Sequence, residues 1–218
     1  MEETRDGSQS RGRRPAALPA LLAAVALGTC LATTAILFLV LGWGDGPADD
    51  SAEAGFARDM ATHHAQAAEM GFIIRDASAD HQLRTLAYDI IVTQTAQRGV
   101  FMGWLQQWGL SQSSAQPRMA WMVGHAHGTS SSGLMPGMAS DADLERLRQA
   151  SGRDAEILFL QLMIRHHEGG VEMARAVLAL SDRDDVVTMA RSIESSQAGE
   201  IALMTEMLDA RRSRQSRK

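Results

Sequence analysis

The sequence predicts an all-α protein: an antiparallel four-helix bundle made of two repeated helical hairpins and preceded by one N-terminal transmembrane helix. Three observations predict it. Residues 56–105 align with 159–208 at a constant offset of 103 without a gap, giving identities at Phe56/Phe159, Met60/Met163, His63/His166, His64/His167, Glu69/Glu172, Met70/Met173, Ala87/Ala190, Ile90/Ile193, Gln94/Gln197 and Leu105/Leu208. Within each repeat, helix formers dominate, proline is missing, and apolar residues recur at three and four, as at Leu83, Leu86, Ile90 and Ile91. The breaks inside each repeat, Ser78-Ala79-Asp80 and Ser181-Asp182-Arg183-Asp184, are short and polar, which makes the helices they join antiparallel neighbours.

Residues 1–15 carry Arg5, Arg11, Arg13 and Arg14 and read as a cytoplasmic basic tail. Ala16 to Trp43 follow without a charged side chain, and these 28 residues exceed the ~20 that cross a bilayer as a helix. Acidic residues at Asp45, Asp49, Asp50 and Glu53 follow that span, so the positive-inside bias places the remainder outside the cytoplasm. An apolar run of this length suits a single-pass signal anchor better than a cleaved signal peptide, whose core is about 7–15 residues. After a linker at 44–52, the bundle domain is expected over 53–210, with a first hairpin at 53–109, a connector at 110–152 and a second hairpin at 153–210. Its helices are expected at about Glu53 to Ala77, Asp80 to Trp108, Asp154 to Leu180 and Arg183 to Arg211, with one short helix over Asp141 to Ala150 capped near Ser140 or Asp141. Residues 211–218 read as a frayed basic tail.

Composition narrows the function. Cys30 is the single cysteine and falls in the apolar span, so the exported part has no thiol for a disulfide, a thiolate metal site or a nucleophile. From Asp45 to Ala210 there are 23 acidic and 12 basic residues, a net of −11, a balance that repels nucleic acid and attracts cations. Nucleophile-elbow, phosphate-loop and zincin patterns are absent, and no Glu-x-x-His pair of the di-iron kind occurs in the bundle segments. These exclusions point away from an enzyme.

What remains is a duplicated Met-x-x-His-His motif. At about 100° per residue, Met60, His63, His64, Ala67 and Met70 share one helix face, and Met163, His166, His167, Gly170 and Met173 occupy the same angles in the second repeat. Glu69 and Glu172 fall on the opposite face. Ala67 and Gly170, in the middle of each stripe, are expected to leave room for an ion or for close helix packing. Neighbouring histidines diverge by about 100°, so His63 and His166 are the leading ligand candidates, with His64 and His167 as partners across the bundle.

A methionine at helical spacing is ordinarily core filler, and a buried histidine is ordinarily a hydrogen-bonded core residue. The conjunction of two His-His pairs with methionines on both sides, in a domain without thiols, favours a metal. Thioether and imidazole suit copper, Cu(I) above all or Cu(II) through the imidazoles, and Ag(I) as well, and offer little to Mg²⁺ or Ca²⁺. The connector adds Met119, Met122, His125, His127, Met135 and Met138, a second candidate site in a segment able to wrap an ion.

Phe56-Ala-Arg-Asp-Met60-Ala-Thr-His63-His64 and Phe159-Leu-Gln-Leu-Met163-Ile-Arg-His166-His167-Glu-Gly-Gly-Val-Glu-Met173-Ala, together with Met135-Pro-Gly-Met138, resemble the "domain of unknown function 305" family. The resemblance covers about residues 53–210. It implies a ferritin-like helical bundle, export and, for members with an assigned role, copper binding by Met and His in periplasmic copper resistance. One departure is Ala61-Thr62, where the family often carries a hydrophobic residue and proline; the ligand set is unaffected. The expected partners are therefore a copper ion, the membrane through the N-terminal helix, and a copper transporter or oxidase that would exchange the ion. The competing expectation is a metal-free structural or sensory module of the cell envelope.

Overall fold

Four long helices and one short one account for most of the described residues, which in this computed structural model are 27–29, 31–33, 46–122 and 133–215. They are α1 (Ala52–Ala77), α2 (His81–Gln107), α3 (Asp141–Gln149), α4 (Gly152–Leu178) and α5 (Asp184–Gln215), with a 3₁₀ turn at Ala120–Met122. No strand occurs among the described residues. The expected membrane span at 16–43 lies almost wholly outside them, and no described helix is long and apolar enough to cross a membrane. The described residues from Gly46 onward form one compact unit.

Local chemistry explains where the helices start and stop. The Ser51 hydroxyl accepts from the Ala54 amide at 3.2 Å to begin α1, and the Asp80 carboxylate accepts from Leu83 at 2.9 Å to begin α2, each satisfying an amide that has no partner inside the helix. Ser140 and Asp143 cap α3 reciprocally, each side chain accepting from the other's backbone amide. Between α1 and α2 the chain needs only Ser78-Ala79-Asp80, and the Ser78 hydroxyl donates to Glu156 on α4 at 2.7 Å, which ties the first turn to the second hairpin.

The helices pack as α1 on α2, α4 on α5, and α1 on α4. Two apolar clusters show how α1 and α4 run. Met60 of α1 shares a cluster with Met173 of α4, together with Phe56, Phe101 and Ile193, whereas Met70 shares the other with Met163, together with Leu83, Ile90 and Phe159. Sequence order is thus reversed between the two helices, and they are antiparallel. Each fully buried Phe, Leu or Met contributes about 1.5–3 kcal/mol.

Arg211 is a correction to the expected tail. It is 7% exposed, bonds Glu156 at 2.8 Å and lies 3.2 Å from Asp80, so it joins the end of α5 to the starts of α4 and α2, and α5 continues to Gln215.

Candidate metal centre

Between the two apolar clusters lies a layer of four histidines, all 0% exposed. His63 and His166 stack across the α1–α4 contact with ring centroids 3.7 Å apart and planes tilted by 30°. His64 and His167 sit beside them, 6.4 and 6.3 Å from their neighbours in sequence. The expectation that His64 and His167 pair across the bundle is not met. Each turns instead to the other helix of its own hairpin: His64 Nε2 lies 2.8 Å from Gln97 Oε1 on α2, and His167 Nε2 lies 2.5 Å from Glu200 Oε2 on α5. The reason is the angular divergence of adjacent helical residues, which directs one ring at α4 or α1 and the other at the hairpin partner.

His63 Nε2 lies 3.1 Å from the Pro136 carbonyl, whereas both ring nitrogens of His166 are buried without a hydrogen-bond partner. Nδ1 of His63, His64 and His167 is also buried and unpartnered, which makes five such ring nitrogens in one layer. Burial pushes His63 down to about 3, His64 to about 4 and His166 well below the usual histidine range, with the neighbouring imidazoles adding to the effect at His63 and His166. At neutral pH these three rings are uncharged and their lone pairs are free for a metal. Among the described residues no three His, Cys, Asp or Glu side chains converge on a ready-made metal position, so sulfur is the donor left to complete a site.

Methionine sulfur flanks the layer on both sides. Met60 and Met173 lie on one side and Met70 and Met163 on the other, all 0% exposed. The connector, expected to form a separate and flexible site, is instead bound to the bundle in its described parts. Met119, Met122 and Met135 are buried in the same cluster as Met60 and Met173, and Met138 packs against it. His125 and His127 lie outside the described residues.

Side chains that the repeat does not duplicate hold the connector there. Asp59 on α1, corresponding to Leu162 in the second repeat, accepts from the Met119 amide at 2.8 Å and the Trp121 indole at 2.9 Å. Gln66, corresponding to Gly169, donates to the Ala139 carbonyl at 2.9 Å and accepts from the Ala139 amide at 2.8 Å. Pro136-Gly137 then presses on α4 so closely that a Cβ on Gly169 would lie 2.1 Å from the Pro136 oxygen, and one on Gly137 (φ 73°) would lie 2.2 Å from the Arg165 oxygen. Only glycine fits either place.

Sequence reasoning missed Asp59, Gln66, Gln97 and Glu200. A signal for the last two existed, because Gln97 and Glu200 are related by the offset of 103 and each stands 33 residues after its histidine. Gln94 and Gln197 are 2% exposed with both amide atoms unpartnered. The space expected at Gly170 for an ion is taken by Gln197, whose Oε1 lies 2.3 Å from where a Gly170 Cβ would be.

The profile of the Domain of unknown function (DUF305) matches residues 53–208. The chain belongs to the DUF305 family. Among solved structures, a DUF305 protein from Streptomyces coelicolor is 46% identical, over 75% of this chain and 96% of that one, with a TM-score of 0.70. A DUF305 fragment from Deinococcus radiodurans is 33% identical, over 73% and 96%, with a TM-score of 0.60. CopM, solved in a Cu(II)-bound form, is 25% identical, over 73% and 97%, with a TM-score of 0.56. Among curated proteins none matches. The DUF305 match takes in all four histidines, the connector and the methionines on both sides of the layer.

Proposed function

We infer that this DUF305 protein is a copper-binding protein of the cell envelope that sequesters or delivers the ion and catalyses no reaction. One observation carries the reading: five buried ring nitrogens without partners lie in a single layer between buried methionines. An unpaired buried polar atom costs about 1–3 kcal/mol, and although one of the two His166 nitrogens keeps its hydrogen, up to four of the five can offer a lone pair, which supports a ligand for them to bind. Neutral imidazole and thioether are a soft-to-borderline donor set, which selects copper over Mg²⁺ or Ca²⁺ and favours Cu(I), with Ag(I) able to compete. The similarity to CopM, solved with Cu(II), supports the same metal here.

His63, His64, His166 and His167 are the nitrogen donors of this reading, and Met60, Met70, Met163 and Met173 are the sulfur donors. Met119, Met122, Met135 and Met138 bring further sulfur to the Met60–Met173 side, and His125 and His127 belong to the same connector. The apolar run at 16–43 would anchor the domain on the outer side of a membrane, and a copper transporter or oxidase would be the exchange partner.

The test is an anaerobic Cu(I) titration of the full chain in mild detergent against a chromogenic chelator, repeated on a variant with Met60, His63, Met163 and His166 replaced by Leu. Tight binding that collapses in the variant while its helicity persists supports the reading. A parent chain that takes up no copper overturns it in favour of a metal-free interaction module.

A further inference from the structure

The repeat that duplicates His64 and His167 changes the chemistry of their partners. Gln97 faces one Nε2 at 2.8 Å and Glu200 faces the other at 2.5 Å. An ionised carboxylate only accepts hydrogen bonds. Nε2 of His167 therefore carries the hydrogen, which leaves Nδ1, buried and without a partner, as the ring nitrogen that can meet a metal. An amide offers oxygen in one orientation and NH₂ in the other, so Gln97 leaves His64 free to adopt either tautomer. His63 is like His167 in this respect, since its Nε2 faces the Pro136 carbonyl, which also only accepts.

We propose that Glu200 is a positioning residue that fixes His167 as an Nδ1 ligand for copper, a role that Gln97 fills less firmly for His64. The inference rests on the copper reading above. A carboxylate on the far nitrogen of a metal-binding imidazole holds the ring in place and raises the basicity of the nitrogen that meets the metal, and loss of such a partner typically costs about 10- to 100-fold in affinity. Gln97 is a neutral and weaker acceptor. The Glu200 side chain is 24% exposed while the His167 side chain is 0% exposed, so the negative charge stays at the wet rim of the layer and avoids the cost of full burial.

Long-range ¹H–¹⁵N NMR of the metal-free full chain, in mild detergent near neutral pH, reads the tautomers directly. The expected spectrum shows Nε2–H with a bare Nδ1 at His63 and His167. E200Q should turn His167 into a mixture and weaken Cu(I) uptake by about tenfold or more. Q97E should bring His64 to the Nε2–H form and tighten Cu(I) uptake, and it decides the matter if E200Q loses its helicity. An Nδ1–H signal at His167 in the wild type, or variants that leave both tautomer and affinity unchanged, would overturn the proposal. A wild type with the expected tautomers that binds no copper would overturn the copper reading, and with it the affinity half of this inference alone.

Discussion

His166 stacks on His63 at a centroid separation of 3.7 Å, yet neither of its ring nitrogens has a hydrogen-bond partner, while His63 engages the Pro136 carbonyl. The stack therefore joins one ring anchored to the connector to one held by packing and by a weaker approach to the His63 backbone.

His166→Leu should separate function from stability. Leucine has similar bulk and no polar atoms to strand, so the metal-free variant should be as stable as the parent or more stable by about 1–3 kcal/mol. Its copper affinity should fall at least tenfold. Thermal unfolding without metal and a chelator competition read the two effects, and a variant that both melts early and keeps its copper would contradict the arrangement.

Acid should unfold the metal-free protein through the same layer. The folded-state values of His63 and His64 are lowered to about 3 and about 4, and that of His166 is lowered well below, from 6.5. As pH falls below 6.5 the unfolded chain takes up protons at these residues and the folded chain does not. Their cost is absent above that pH and grows toward about 4, at up to about 1.4 kcal/mol per pH unit for each ring. Melting temperature measured against pH should drop steeply over this window, and replacing His63 and His166 together by Leu should flatten the slope.

Gly169→Ala should dislodge the connector. Its new methyl would meet the Pro136 oxygen at 2.1 Å, backbone against backbone, with no flexible side chain to yield. We expect a loss of about 2–4 kcal/mol, at the upper end of single substitutions, and faster proteolysis between residues 111 and 140. Gly99→Ala, inside α2 with nothing within 4 Å, should leave proteolysis of the connector unchanged and stability equal or about 0.5–1 kcal/mol higher, and serves as the control.

Asp59→Ala should free the other end of the connector, since it removes the acceptor for the Met119 amide and the Trp121 indole. Leaving two donors without their acceptor costs about 1–3 kcal/mol each. Tryptophan emission should shift to the red as Trp121 loosens from Phe56, with which it makes an edge contact at 5.8 Å. Unchanged emission would mean that Asp59 does not hold the segment.

Added copper should raise the melting temperature by mass action, about 2.7 kcal/mol when free ion stands 100-fold above Kd. Replacing Met60 and Met173 by Leu should remove much of that gain with little effect on the metal-free protein, because Leu is close in volume to Met. An equal copper-induced rise in parent and variant would move the sulfur donors to the Met70–Met163 side.

Several features were legible in the sequence because they depend on neighbours along the chain. Helical spacing, the cap at Ser140 and the turns that separate the helices all follow from residues within a few positions of one another. The two-hairpin architecture followed from the repeat, and the shared face of Met60, His63, His64 and Met70 from the helical period. The family resemblance rested on the two Phe-to-His-His segments together with Met135-Pro-Gly-Met138, and the match over residues 53–208 bears it out. What the sequence could not decide is what each face meets. That His63 lands on His166, that His64 and His167 turn to Gln97 and Glu200 rather than to each other, and that Gln197 fills the space over Gly170 are consequences of how the antiparallel α1–α4 pair sits against α2 and α5. The connector is the clearest case. Its composition reads as a loose Ser-, Gly- and Pro-rich loop, and only Asp59 and Gln66, 60 and 73 residues away from their partners, draw its methionines into the cluster beside the histidines. Hydrogen bonds and packing across such separations form only once the chain has folded, and no local pattern encodes them.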